Sequence, residues 1–425
     1  MNKLVSRLTV RAAPALRRSM STALNMTAGL TDEQIEYQNI ALSFSSKEIA
    51  PFAAEWDEKK IFPIETLRKC AELGFGGIYI DPEVGGSGLT RKDASVIFEA
   101  LATGCPATAA YLTIHNMCCW MIDTFGNDEH HQLLPSLCSM EKLISYCLTE
   151  PGAGSDAGSL TTSAKLENGE YVLNGSKAFI SGGGTSDYYL VMARKESGKI
   201  SCFLVPKDAP GVSFGAQEKK LGWNCQPTSA VILENARIPK SNLIGEEGKG
   251  FSMAMQALDG GRINIASCSL GAAQTALQHS IDYVKIREQF GKPLSSFQSV
   301  QFKLADMVTN LHASRLLVRN AAESIDNNVA QKSMYCAMAK KFATDSCYDI
   351  IDECLQLHGG YGYLKDYPIE KLLRDSRVHR ILEGTNENSA FDYLLLIKLT
   401  RHKRLILFYN SWCRRAIATA RFHRD

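Results

Sequence analysis

No Cys-x-x-Cys pair, no Walker A loop, no dinucleotide-binding G-x-G-x-x-G, no G-x-S-x-G elbow and no H-E-x-x-H helix occurs in the 425 residues. These absences remove zinc ribbons, P-loop NTPases, Rossmann dehydrogenases, common serine hydrolases and zinc peptidases, and no metal ligand set is assigned. No apolar run reaches the roughly 18 to 20 residues needed to cross a bilayer, so no membrane span is expected. Charge of one sign is also lacking: 47 Lys and Arg against 45 Asp and Glu give a net +2, which argues against a nucleic-acid binder that is basic throughout. The 13 cysteines are too sparse for a disulfide scaffold, and Cys118 and Cys119 are adjacent, which suits neither a mutual bridge nor zinc. Most of them read as small buried apolar residues of a reducing compartment.

What is present is ordinary globular composition, 45% hydrophobic and 22% charged, with length enough for two or three domains. The neutral average conceals three regions. Residues 1–31 carry Lys3, Arg7, Arg11, Arg17 and Arg18, no acid, and several Ser and Thr, the pattern of a mitochondrial transit peptide, assigned to residues 1–30. Residues 388–425 hold eight cations against two acids. Between them, 34 cations face 43 acids, a net of −9, so an acidic body lies between two basic ends.

Thr31-Asp-Glu-Gln34 is a capping box that opens a helical region, in which Ile35, Leu42 and Ile49 recur at helical spacing. From Tyr146 to Gly245, short β-branched and aromatic runs are separated by Asn168-Gly169, Asn174-Gly175, Ser197-Gly198 and Pro210-Gly211, which predicts an antiparallel barrel or sandwich. After Gly250 the helical period returns: Val300, Leu304, Met307, Leu311, Leu317 and Ala321 share a face, and Met334, Met338 and Phe342 belong to a further helix. The expected fold is α+β, mainly α: an N-terminal helical domain (31–144), a middle β domain (145–246), a C-terminal four-helix bundle (247–387) and a basic tail (388–425).

Four glycine-flanked polar segments could carry chemistry. Tyr146 to Asp156 (YCLTEPGAGSD) offers close backbone approach to a flat ligand and the hydroxyls of Thr149 and Ser155. In Ile381-Leu-Glu383-Gly-Thr-Asn-Glu387 a carboxylate follows two apolar residues, a setting that raises a carboxyl pKa and suits a general base; a solvent-exposed helix-end Glu is an equal reading in isolation. Lys285 to Pro293 and Leu357 to Gly362 are a cationic turn and a glycine-dense break, each also readable as packing punctuation.

Taken together and in this order, SYCLTEPGAGSDA, LNGSKAFISGGG, IREQFGKPL and LHGGYGYLKDYPIEKLLRDSRVHRILEGTNE resemble the acyl-CoA dehydrogenase family over residues 32–387. The resemblance implies FAD, a homotetramer, a mitochondrial matrix location and electron-transferring flavoprotein as electron acceptor. It also implies a short branched-chain acyl-CoA substrate, isobutyryl-CoA in valine breakdown first, with 2-methylbutanoyl-CoA or straight short chains as the alternatives. A catalytically impaired structural relative is the reading from another class. Glu383 matches the family's α-proton base, and its backbone N–H a donor to the thioester oxygen. Some relatives place the base immediately before the arginine matching Arg262; Gly261 stands there in this sequence. Tyr146, Cys147, Leu148, Thr149, Gly154, Ser155, Phe179, Ile180 and Ser181 match flavin contacts, as do Arg287 (pyrophosphate), Phe297, Gln298, Thr385, Asn386 and Glu387. Gln356, Leu357, His358, Gly359 and Gly360 match contacts to FAD from a neighbouring subunit, as does Gln298. Ser155, Asp259, Gly260, Gly261, Arg262 and Gly384 match substrate contacts. From Asn388 the sequence departs from the family, and the arginine expected on the last helix is missing.

Overall fold

A computed structural model describes residues 24–390; the leader and tail assignments fall largely outside them. Thr31 caps α1 (Asp32–Phe44): its hydroxyl accepts from the Gln34 N–H, and the Gln34 side chain accepts from the Thr31 N–H, both at 3.2 Å. After α2 (Ala53–Lys59) and α3 (Ile64–Ala71), a second capping box, Thr90 with Asp93, opens α4 (Arg91–Ala102). α5 (Pro106–Phe125) follows, then the short α6 (Asp128–His131) and α7 (Leu134–Cys138).

The end of the segment assigned to the leader touches the bundle. Leu24 is buried in the bundle core, Met26 is buried as well, and the carbonyls of Met26 and Ala28 accept from the Arg319 guanidinium. Residues 24–30 lack helical periodicity, so no local pattern marks their contact with the bundle.

The β region comprises β1 (Ile144–Cys147), β2 (Ser163–Glu167), β3 (Glu170–Ser181), β4 (Tyr188–Lys195), β5 (Ile200–Pro206), β6 (Val212–Phe214), β7 (Thr228–Pro239) and β8 (Leu243–Ile244). They form one sheet in the order β6-β7-β3-β2-β4-β5-β8, with β1 on β4. The sheet is mixed rather than antiparallel: β1 and β2 both run parallel to β4, while the other pairs are antiparallel. Parallel pairing requires a crossover, and the 149–162 loop with the β2–β3 hairpin supplies it. The pleat sorts the side chains. In β4 and β5, Tyr189, Val191, Ala193, Phe203 and Val205 face the sheet's own core. Leu190, Met192, Cys202 and Leu204 alternate with them and pack with Met117, Met121 and Ile122 of α5.

α8 (Gly250–Ile286) leaves the sheet, and beyond a small hairpin of β9 (Glu288–Gln289) and β10 (Lys292–Pro293) come α9 (Gln298–Asp326), α10 (Lys332–His358) and α11 (Ile369–Ser376). These four helices carry the C-terminal bundle among the described residues. From Gly260 to Ala273 every residue of α8 is buried, so this stretch of the helix has no solvent face. Gly271 lets it meet α4 at backbone distance: a Cβ there would lie 2.2 Å from the Glu99 carbonyl oxygen. Met307, Leu311 and Ala321 of the expected α9 stripe are buried, whereas Met338 and Phe342 lie on the outer face of α10, 38% and 40% exposed. All twelve cysteines among the described residues are free and buried.

A buried ion cluster ties α4 to α9. The Glu99 carboxylate meets Arg315 Nε at 2.8 Å and Arg319 at 3.5 Å, and Arg315 also donates to Gln274 of α8. Glu99→Ala leaves two buried guanidinium groups without their counter-charge, so a stability loss of about 3–5 kcal/mol is expected by denaturant titration. A loss below about 1 kcal/mol would mean that water or neighbouring carbonyls replace the carboxylate.

Candidate active site

The segment after α11 turns sharply. Ser376 leads into a 3₁₀ turn, Arg377–Arg380, and then two successive left-handed residues, Glu383 at φ 58° and Gly384 at φ 83°. A left-handed conformation is disfavoured for a glutamate, so the surroundings must enforce it. His379 Nδ1 lies 2.7 Å from Ser269 Oγ of α8, and Arg380 Nε lies 2.7 Å from Asp345 of α10. Arg262 Nε donates to the Glu383 carbonyl at 3.2 Å, and Lys340 Nζ donates to the Gly384 carbonyl at 2.7 Å. Asn386 is buried and donates to Thr344 Oγ1 and Asp345 Oδ1.

Glu383 as a residue is half-buried, but its Oε2 is buried and has no hydrogen-bond partner. The carboxylate fits only because position 261 is glycine: a Cβ there would lie 2.4 Å from Oε2 and 2.7 Å from the carboxyl carbon. Burial pushes the Glu383 carboxyl up to about 7, against the opposing pull of Lys340 and Arg262. The site thus holds a carboxylate able to take or release a proton near neutral pH. The Tyr146 hydroxyl, also buried without a partner, feels the Glu383 charge, and its proton is held well above the usual phenol range, first by burial. Asp259 reaches Arg262 at 3.7 Å and accepts from Ser333. A Cβ at Gly260 would meet Arg91 Nη1 at 2.7 Å, and the Arg91 guanidinium lies 3.7 Å above the Tyr79 ring and 4.9 Å from Trp120.

The 149–155 loop borders the same site. Asn388 Nδ2 donates to the Ser155 carbonyl, and the Thr149 carbonyl accepts from Ala178 of β3. A bulge between Lys177 and Ile180 turns Phe179 outward, at φ 58° and 67% exposed. The bulge thus leaves the Phe179 ring face uncovered on the sheet. Gly154 has open space where a side chain would be. Cys147, Leu148 and Ile180 bury their side chains in the cores, so only their backbones can face a ligand. Ser181 uses its carbonyl to accept from Ser145 Oγ.

A second group lies elsewhere. Arg287, Gln356, Leu357, His358, Gly359 and Gly360 line one cleft of about 380 Å³. Gly359 and Gly360 leave it open, and the Arg287 guanidinium lies 5.5 Å from the Tyr361 ring centre. The His358 ring does not face a ligand: it is buried, stacks on Tyr283 at 4.3 Å and bonds the Cys354 carbonyl. Phe297 and Gln298 open α9 beside this cleft, where the Phe297 N–H donates to the Leu294 carbonyl. The rise of a helix puts Gln356 about 24 Å along α10 from Lys340, so this cleft and Glu383 are separate places on one chain.

Sequence reasoning missed Lys340, a lysine inside an apolar helical stretch, and Lys177. Lys177 is fully buried and pairs with Glu150 at 2.8 Å, while Glu150 also accepts from the Thr161 and Thr162 N–H groups. Burial favours the neutral acid, but Lys177 and these donors prevail and hold Glu150 low, at about 2.

Sequence profiles of the acyl-CoA dehydrogenase N-terminal, middle and C-terminal domains match residues 31–141, 145–236 and 248–390. The chain is 55% identical over 379 residues to a mitochondrial isobutyryl-CoA dehydrogenase of Bos taurus, covering 88% of this chain and 91% of that protein. It is 58% identical over 367 residues to the protein of the same name from Dictyostelium discoideum, covering 85% and 88%. Among solved structures, butyryl-CoA dehydrogenase from Megasphaera elsdenii superposes with a TM-score of 0.84 at 37% identity, over 87% of this chain and 98% of that one.

Because Glu150 is more acidic folded than its ordinary 4.5, its pair contributes stability above that pH and loses it as pH falls toward 2. Lys177→Met strands the carboxylate, and a loss of about 3 kcal/mol at neutral pH, shrinking on acidification, is expected from unfolding curves at two pH values. A pH-independent loss would assign Lys177 a packing role only.

Proposed function

The chain belongs to the acyl-CoA dehydrogenase family, and from that premise we propose that it dehydrogenates a short branched acyl-CoA between its α- and β-carbons, isobutyryl-CoA to methacrylyl-CoA in valine breakdown. The observation that carries this reading is the partnerless, buried Oε2 of Glu383 lodged against Gly261. A base that must take a proton from carbon needs an unpaired lone pair in a dry site, and a pKa brought toward that of its working medium. Glu383 Oε2 takes the α-proton. The thioester oxygen gains charge as that proton leaves, and the Glu383 N–H, held by the left-handed corner, is the chain's donor to it. Gly260 and Gly261 bring the Arg91 guanidinium and the Glu383 carboxylate onto the bare backbone of α8, beside Arg262.

The residues present suit FAD. Phe179 offers an uncovered aromatic face, the 149–155 loop offers backbone polar groups and open glycine space, and Arg287 with Gly359 and Gly360 suits a pyrophosphate. FAD held there would supply the acceptor for the β-hydride, with electron-transferring flavoprotein as the onward electron acceptor. The distance between the Arg287 cleft and Glu383 favours use of that cleft by another subunit's cofactor, in keeping with the neighbour's role that the resemblance gives Gln356–Gly360. It groups Arg287 with those residues. A homotetramer would also cover Phe290 (94% exposed), Tyr363 (83%) and Phe302 (64%), which are unusual apolar exposures for a monomer. The basic, acid-free segment 1–23 and the mitochondrial relatives support a matrix enzyme.

Glu383→Gln is expected to retain the yellow flavin yet lose substrate-driven bleaching by isobutyryl-CoA about 10²- to 10⁴-fold. Unchanged turnover would remove Glu383 from the role of base. In the wild type, kcat/KM should fall as pH drops through about 7, since the carboxylate must be ionised to accept the proton. Gly261→Ala should depress kcat by displacing the carboxylate while leaving flavin content intact, as read by absorbance and steady-state kinetics. Profiling isobutyryl-, 2-methylbutanoyl- and butyryl-CoA fixes the acyl preference; one methylene discriminates by about 1–3 kcal/mol.

A further inference from the structure

Lys340 has no place in the reaction as described, yet it is fully buried on α10 and its ammonium is aimed at the loop that carries Glu383. It donates to the Gly384 carbonyl at 2.7 Å and to Asn386 Oδ1 at 2.8 Å. One turn further along α10, Thr344 and Asp345 take both hydrogens of the same Asn386 amide. The carbonyls of two consecutive left-handed residues are thus gripped by cations from different helices, Glu383 by Arg262 of α8 and Gly384 by Lys340 of α10. A leucine or methionine would fill the same volume without desolvating a charge, so a lysine here is costly unless its donors or its charge are used.

Resting on the reading of Glu383 as the base, we propose that Lys340 is a positioning residue of the dehydrogenation: it locks the Glu383–Gly384 corner through the Gly384 carbonyl and Asn386, and its ammonium is the counter-charge that keeps the carboxylate ionised in a site closed to water. The neighbouring charges are consistent with this. The carboxylate interacts with Lys340 on α10, Arg262 on α8, the Tyr146 hydroxyl on β1 and the Cys118 thiol on α5; Asp345 and Glu387 act on Lys340, Lys340 on His379 and Arg380 on Glu387, and Asp259 pairs with Arg262. Of these, Lys340 is the largest electrostatic influence acting against burial on Glu383, ahead of Arg262. The influence is mutual: burial brings Lys340 down to about 7, and Glu383 is the first of the groups that oppose it.

Two variants separate grip from charge. Lys340→Met removes both; Lys340→Gln keeps an N–H for the Gly384 carbonyl and removes the charge. Each is compared with the wild type for flavin content, thermal midpoint, kcat and KM for isobutyryl-CoA, and the pH dependence of kcat/KM. With Lys340→Met, kcat is expected to fall at least about tenfold with KM nearly unchanged, and the acid limb should move to higher pH by about one unit. Lys340→Gln should recover the thermal midpoint yet keep the displaced acid limb. If Lys340→Met does not fold, the Gln variant decides. A wild-type kcat and acid limb in the folded variants, beside an active wild type, overturn the proposal alone. A wild type that bleaches with no acyl-CoA overturns the reading of the reaction, and this proposal with it.

Discussion

Helix α8 has to be thin where other parts of the molecule come closest to it, and most of the architecture follows from that. With no solvent face between Gly260 and Ala273, it is packed by α4 and α5 on one side, by α9 and α10 on another, and by β5 near its start. Three glycines admit what a side chain would exclude: the α4 backbone at Gly271, the Arg91 guanidinium at Gly260, and the Glu383 carboxylate at Gly261. The first sets how closely the N-terminal helices approach the bundle. The last seats the Glu383 carboxylate, whose Oε2 is buried against bare backbone without a hydrogen-bond partner. Packing and chemistry therefore rest on the same few missing Cβ atoms.

Charge is distributed to match. The folded body is acidic as a whole, yet the cations that matter are buried and individually placed. Arg315 and Arg319 face Glu99, Lys177 faces Glu150, and Lys371 faces Asp375, whose other oxygen accepts from the Trp223 N–H. Each of these pairs joins segments far apart in the chain or, in the last case, anchors the helix leading to the Glu383 corner. An apolar replacement could match them in free energy, but an unpaired charge left inside could not, so each penalises misassembly of the layers. Near Glu383 the balance is finer: burial raises the carboxyl, Lys340 and Arg262 lower it, and the outcome lies near neutrality.

Much of this was legible in the chain. The Thr31 capping box, the return of the helical period after Gly250 and the punctuated β region are local patterns. So are the glycine-flanked segments, each written in contiguous residues. The parallel pairing of β1 and β2 with β4 was not, because strand direction depends on where a crossover returns the chain. Nor was the burial of Leu24 and Met26, whose carbonyls accept from Gln274 and Arg319, 250 and 293 residues away. Met338 and Phe342 satisfied the helical period but face outward, since periodicity identifies an apolar stripe and not what covers it.

The sequence by itself determined the family resemblance, the order of helical, β and helical regions, and the identity of Glu383 as the residue to watch, because these reside in residue types and short spacings. Only the tertiary structure decided that Glu383 Oε2 is buried without a partner, that Gly261 of another helix makes room for it, and that Lys340 and Arg262 hold its corner. It also decided that Arg287 shares a cleft with Gln356–Gly360, away from Glu383. A pKa, an orphaned oxygen and a cleft are properties of distances between segments. They exist only after α8, α10 and the turn beyond α11 have been brought together.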